Sequence, residues 1–298
     1  MYINHNQMAT QVANTLTSHY GNLSTSVQRL STGLRINSAA DDAAGLAIRE
    51  LMRTDIAALQ QGVRNANDAI SLIQTADGAL AVIDEKLVRM KELAEQAATG
   101  TYDSTQRMMI ESEYQAMASE ITRIANATDF NGIHLLNGNL SSNTHDGSGL
   151  TSTGKMKIHF GSMNDSAEDY YYIQIDTSTA SALGVGSSAL AHTDKEDARS
   201  VSTQEAAQKA LEGINKAVIS KDKIRAHLGA LQNRLENTIS NLTTQSENLQ
   251  AAESRISDVD VATEMTAFVR NQILTQSAVA MLSQANSMPQ MAMQLIGG

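Results

Sequence analysis

The sequence predicts a mainly α-helical chain: a long antiparallel helical coiled-coil rod carrying a small β-hairpin region. Three observations lead there. The 298 residues include one Pro, no Cys and no Trp, and aromatics make up 3% where hydrophobic residues make up 42%. Such a chain lacks large anchors for a compact core, but it has the Ala, Leu, Ile and Met that suffice where helices meet along seams. Two stretches repeat apolar residues at strictly alternating three- and four-residue spacing. Between them, a polar segment holds two short strand-like runs.

The first helical pattern is Val12, Leu16, Tyr20, Leu23, Val27, Leu30 and Leu34, spaced three or four apart. After Gly33 the chain reads as a loop, and Asp41 or Asp42 suits the N-cap of the next helix, its carboxylate meeting free N–H groups and the positive dipole end. Helical periodicity then runs to about Ala98, with Gly100 as a stop. A helix over residues 43–98 extends about 80 Å. Within it Ile73, Ala76, Leu80, Ile83, Leu87, Met90, Ala94 and Ala97 form a coiled-coil seam. Asp103 and Gln106 open another helix, ending near Ala127. Asn131-Gly132 and Asn137-Gly138 are hairpin signals around Ile133-His134-Leu135-Leu136. Residues 139–153 read as a surface loop, 155–160 and 170–175 as strands joined by a polar turn at 163–166, and 178–191 as a loop. Helix returns at Ser202, with Glu205 completing a capping box. A second seam follows: Ile224, Leu228, Leu231, Leu235, Thr238, Leu242, Gln245 and Leu249. The two seams pair antiparallel, because the β unit between them reverses the chain. Last comes a broader stripe of Met265, Phe268, Val269, Ile273, Val279, Ala280 and Leu282.

The formal charge of −10 argues against nucleic acid as a partner, since phosphate neutralisation needs clustered Lys and Arg. Charge is also uneven. Residues 1–34 carry one full charge, Arg29, and residues 271–298 carry none. A helix without ions is buried or in lipid. Gln272, Gln276, Gln284, Gln290 and Gln294 disfavour lipid, so no membrane insertion is expected. The ends are expected to bury against other copies of the chain and to be disordered until they do. No secretory signal is read at the N-terminus.

Catalytic chemistry is missing from the pattern. The seven His residues show no metal-ligand spacing, and there is no His-Glu-x-x-His, Walker loop or Gly-x-Ser-x-Gly elbow. No enzymatic activity, cofactor or metal is expected. Asp41-Asp42 reads as capping rather than acid–base chemistry. Tyr170-Tyr171-Tyr172 reads as strand packing rather than a base-stacking platform, for want of basic sequence neighbours. Met281, Met288, Met291 and Met293 read as adaptable packing rather than a copper site.

Residues 30–48, LSTGLRINSAADDAAGLAI, resemble the N-terminal signature of bacterial flagellins. Residues 228–236, 252–256 and 281–286 resemble that family's C-terminal region. The resemblance covers about residues 1–140 and 200–298. It implies N- and C-terminal helices paired in the assembled filament, and a division into residues 1–42 (inner-tube helix and linker), 43–140 (N-terminal part of the outer helical rod with hairpin), 141–200 (short variable surface β region), 201–256 (C-terminal part of the rod) and 257–298 (C-terminal inner-tube helix). Polymerisation is then expected through Val12, Leu16, Leu23, Val27, Leu30, Leu34, Met265, Phe268, Val269, Ile273, Val279 and Leu282. Arg35, Asn37, Asp41 and Asp42 form the helix-entry motif.

By the same resemblance the chain is a secreted homopolymer subunit for swimming motility, leaving by flagellar type III export. Its implied partners are the hook-filament junction protein, the filament cap protein and an export chaperone. Toll-like receptor 5 is implied as an immune receptor, contacting Arg89, Leu93, Gln96 and Glu113. Val88 and Lys91 depart from the family's receptor-binding pattern, and Lys cannot reproduce the bidentate geometry of Arg. The alternatives are a hook-filament junction protein or another secreted coiled-coil structural protein.

Overall fold

A computed structural model of the chain describes residues 6–150, 152–166, 168–186 and 200–296. It is 72% helical, with long helices and small antiparallel strand pairs. The elements run α1 (Gln7–Thr32), α2 (Ala43–Ala98), α3 (Ser104–Ala127), β1 (Asp129–Phe130), β2 (Ile133–His134), β3 (His145–Asp146), β4 (Thr153–Gly154), β5 (Met156–His159), β6 (Tyr170–Ile173), α4 (Ala180–Leu183), α5 (Gln204–Ser257) and α6 (Val261–Ile296). They form two compact units, one of residues 57–245 and the other of residues 1–56 with 246–298.

The unit of residues 57–245 is built on the seams. From Ile73 to Ala97, every member of the α2 seam is at most 1% exposed. On α5 the seam holds at Ile224, Leu228, Leu231, Leu235 and Leu242, whereas Gln245 turns to solvent. The helices run antiparallel. Arg225 on α5 donates to Asp77 on α2 at 2.7 Å, and Lys221, one turn earlier, reaches Asp84, two turns later, at 2.5 Å.

The α5 seam also starts earlier than the apolar pattern indicated. Ala207, Ala210, Ile214 and Ala217 are fully buried, and Lys221 continues their spacing at 2% exposure. Burial opposes the Lys221 charge, but its hydrogen bonds to Asp222 and Asp84 prevail and hold the ammonium above the ordinary lysine range. Asp84 and Asp222 stay partly in water. The carboxylates therefore keep their hydration while neutralising a buried cation, which limits the desolvation cost.

Helix α3 adds Ile110, Tyr114, Ala118, Ile121 and Ala125 to this core. Its start is a capping box: Asp103 N–H donates to Gln106 Oε1 at 3.0 Å, and the Asp103 carboxylate accepts from Gln106 N–H in return and from Ser104 N–H at 2.7 Å. Asn131 (φ 51°) and Gly132 (φ 79°) make the turn between β1 and β2. The second Asn-Gly pair makes no hairpin. Gly138 instead begins a turn in which Ser141 N–H donates to its carbonyl at 3.1 Å, after Leu135 and Leu136 have been drawn wholly into the core.

Strands β5 and β6 pair as expected, with Lys157 opposite Tyr172 and His159 opposite Tyr170. Three sequence readings are corrected. Residues 139–153 are not entirely loop, since His145–Asp146 pairs with Thr153–Gly154. Residues 178–191 hold α4, capped by the Thr179 hydroxyl, while 187–191 lie outside the described residues. Finally, α5 is capped by Thr203, whose hydroxyl accepts from Ala206 N–H at 3.2 Å. Ser202 does not cap it, and Glu205 pairs with Lys209 instead of closing a box.

The β5–β6 hairpin lies close to α2. Asn65 donates to the His159 carbonyl at 2.8 Å, and a Cβ on Gly62 would stand 1.9 Å from the Phe160 carbonyl oxygen. Gly62→Ala gains about 1 kcal/mol of helix propensity. It also forces overpacking of about 1–3 kcal/mol, at the upper end for a backbone neighbour. The expected outcome is a net loss of stability, read as a lower urea midpoint for this unit. An unchanged or higher midpoint contradicts the close approach.

Candidate functional site

The other unit brings the two ends of the chain together. Asn6 caps α1 by accepting from Ala9 N–H at 3.1 Å, and its amide donates to the Ala285 carbonyl at 2.8 Å. At the opposite end of α1, Arg29 lies 3.7 Å from Glu264. These contacts make α1 and α6 antiparallel. Their ion pair sits where each helix favours it, a cation in the last turn of α1 and an anion in the first turn of α6. The expectation that isolated ends lack order is not met over the described residues, because each helix offers the other a complementary seam.

That seam takes up part of the apolar stripes and adds small residues that the stripes did not mark. Ser26, Thr275, Ala278 and Ala285 are its most buried members, with Val12, Leu16, Leu23, Leu30, Phe268 and Leu282 half-buried beside them. Small side chains let the helices approach closely. Val27, Met265, Val269, Ile273 and Val279 lie outside it, each 44–56% exposed. Tyr20, Leu274 and Met281 are also open to solvent.

Several exposed threonine hydroxyls of these helices are self-satisfied. The hydroxyls of Thr15, Thr17 and Thr25 donate to the carbonyls of Gln11, Ala13 and Gly21 at 3.0–3.1 Å, and Thr266 donates to Ala262 at 2.9 Å. Covering them strands no hydrogen bond. From residue 271 onward no ion must be desolvated either. The result is an ion-free surface, apolar side chains standing among amides and hydroxyls, on a chain whose net charge is −10.

The linkers are tied to each other. Leu34 and Asp258 form an antiparallel bridge. Arg35 N–H donates to the Ser257 carbonyl at 2.7 Å, its guanidinium to the Ile256 carbonyl at 2.8 Å, and Val259 N–H to the Gly33 carbonyl at 3.0 Å. Gly33 takes φ 74°, the left-handed stop of α1. Asn37 donates to the Leu34 carbonyl at 3.0 Å.

The two candidate caps divide the work. Asp42 caps α2, accepting from Gly45 N–H at 2.9 Å. Asp41 accepts from Ser38 N–H and hydroxyl at 2.9 and 3.1 Å and from Asn37 N–H at 3.2 Å, bonds that hold its pKa below the ordinary aspartate range. Sequence reasoning missed two members of this motif. Ile36 is 1% exposed, and Arg49 is buried with its guanidinium on the Ile36 carbonyl at 2.8 Å. A Cβ on Gly45 would stand 2.5 Å from Asp42 Oδ2 and 2.7 Å from Ile36 Cδ1, so any larger residue there forces the cap and Ile36 to shift.

The receptor candidates lie in the unit of residues 57–245. Arg89 donates to Glu113 at 2.7 and 2.9 Å and to Glu92 at 2.9 Å, on an exposed surface. Gln96, also exposed, donates to the Tyr102 hydroxyl at 3.0 Å. Leu93 does not share that surface. It is 1% exposed and belongs to the core, since its place on α2 faces inward.

The tyrosine run has basic neighbours after all, across the hairpin rather than along the sequence. Lys155 lies over the Tyr172 ring at 4.6 Å and Lys157 over the Tyr170 ring at 3.6 Å. The Tyr171 ring meets Phe160 at a 60° tilt and lies under Arg234. The cations cover ring faces that a base would need. Among the described residues, no cluster of His, Asp or Glu could hold a metal ion, and no helix is long and apolar enough to cross a membrane.

Comparison with known proteins bears on this terminal pairing. The bacterial flagellin N-terminal helical region matches residues 3–141, and the bacterial flagellin C-terminal helical region matches residues 211–296. A flagellar filament 33 kDa core protein from Treponema phagedenis is 40% identical over 296 residues, covering 99% of this chain and 100% of its own. The flagellin of Bacillus subtilis strain 168 is 42% identical over 309 residues, with the same coverages. The crystal structure of Bacillus cereus flagellin aligns with a TM-score of 0.46 at 27% identity, covering 64% of this chain and 94% of that one. The two family regions thus contain the helices that pair here as α1 and α6, and by those regions and the two relatives of 40% and 42% identity the chain belongs to the bacterial flagellin family.

Proposed function

We propose that this chain is the structural subunit of a flagellar filament, polymerising with other copies of itself through the outward surfaces of α1 and α6. One observation carries the reading. The ion-free stretch from residue 271 onward leaves Ile273 56% and Met281 59% exposed in a single chain. Large apolar side chains left open on an ion-free surface mark association sites, and burial stabilises by about 25 cal/mol per Å² before ordering costs. In this reading residues 1–42 and 257–298 form the inner tube, and the filament stands outside the cell after type III export. The hook-filament junction protein, the cap protein and an export chaperone meet the same terminal surfaces. A junction protein is the alternative; filament formation by the chain alone separates the two. Purified protein brought to high sulfate, which strengthens apolar burial, is expected to form long filaments under the electron microscope. Persistent monomer under those conditions overturns the proposal.

Recognition by Toll-like receptor 5 is the second reading, supported by the exposed Arg89–Glu113 pair beside Gln96. Leu93 acts there as packing beneath the surface. Arg89→Ala is expected to raise the half-maximal concentration for a cell reporter about tenfold, the size of a modest interface residue. Unchanged signalling removes Arg89 from the contact set.

A further inference from the structure

The exposed side chains of α6 include three thioethers in its ion-free part. Met281, Met288 and Met291 are 59%, 37% and 47% exposed. Leu274, Met281 and Met288 stand seven residues apart and so line one flank of the helix, with Met291 one turn beyond Met288. None belongs to the seam with α1, which runs through Thr275, Ala278, Leu282 and Ala285. Their exposure has no packing role within the chain. Methionine is also the one apolar side chain that mild oxidants turn polar.

We propose that Met281, Met288 and Met291 are oxidative modification sites that control polymerisation, an inference that rests on the filament reading above. The oxidant is a peroxide. Its O–O bond breaks as one oxygen passes to the thioether sulfur, which is oxidised by two electrons to the sulfoxide, while the remainder of hydrogen peroxide leaves as water. Each product places a strong acceptor on a surface that must be dehydrated against another copy, and an acceptor buried without a donor is costly. The α1–α6 pair survives, because its seam holds none of the three sulfurs. Assembly and oxidation thereby exclude each other: free chains oxidise and stay apart, while assembled chains shield the same sulfurs.

The test treats purified full-length monomer with dilute hydrogen peroxide, maps the oxygen adducts by peptide mass spectrometry, and measures the critical concentration for assembly. Oxidation at the three sites is expected to raise it about tenfold or more, equivalent to about 1.4 kcal/mol. Helical circular dichroism stays unchanged, and methionine sulfoxide reductase restores assembly. The triple variant Met281→Leu, Met288→Leu and Met291→Leu keeps the volume and is expected to lose most of the peroxide effect, Met8 and Met265 remaining as exposed thioethers of the terminal helices. In preformed filaments the three residues oxidise more slowly than Met163, which is 74% exposed in the other unit. Oxidised monomer that assembles normally, or a triple variant as peroxide-sensitive as the parent, overturns the inference. Untreated protein that forms no filaments overturns the filament reading instead.

Discussion

Removing residues 1–34 is expected to abolish filament formation while leaving the unit of residues 57–245 folded. Helix α1 is the partner of α6 along the seam of Ser26, Thr275, Ala278 and Ala285. Without it, α6 exposes Phe268 and Leu282 in addition to the Ile273 and Met281 already in water. An isolated helix held by no packing is marginal in water, so both its order and its presentation to other copies are lost. The bridge from Leu34 to Asp258 goes with it. Electron microscopy in high sulfate checks the first half and a thermal melt followed by circular dichroism the second. Filaments of normal length from the truncated chain contradict a role for α1 in assembly.

Alkali supplies the second large effect. Tyr114 is fully buried on α3, and burial, with the Glu111 carboxylate nearby, holds its phenol protonated far above the ordinary value of 10.0. The unfolded chain releases that proton near pH 10, whereas the folded chain retains it. The folded pKa is raised, so the contribution is intact below pH 10 and is lost as pH rises beyond it. The loss approaches about 1.4 kcal/mol per pH unit. Lys221, raised above 10.5, acts in the same direction. Urea denaturation at pH 8 and pH 11 is expected to show a steep fall for the parent and a shallower one for Tyr114→Phe, whose ring has no proton to release. Equal slopes in the two proteins refute the assignment to Tyr114.

The long helices were legible in sequence because their signals are local. Asp42 and the three-four spacing mark α2 at its first residue and along its buried seam. What escaped was set by partners distant in sequence. Lys221 occupies a seam position that no apolar pattern reveals, since its charge is answered by Asp84, 137 residues away. The most buried members of the terminal seam escaped because the reading followed the largest apolar side chains, while Ser26, Thr275, Ala278 and Ala285 are small or polar and allow close helix approach. The lysines over Tyr170 and Tyr172 required strand register that the tyrosines alone do not supply. Strands β3 and β4, two residues each within a polar segment, leave no periodicity to detect. On the candidate site, the Arg35–Asp42 motif announced its loop and caps, whereas the burial of Ile36, Arg49 and Leu93 had no local sign.

The clasp between Arg35 and residues 256–257 also has a temporal meaning. Its halves lie 221 residues apart, and Asn6 lies 279 residues from the carbonyl it bonds. A helix that emerges early therefore waits for the latest part of the chain before it can close. Contacts of such separation form slowly. The finished pair, with the surface it presents, therefore exists only once nearly everything between its two helices has been delivered.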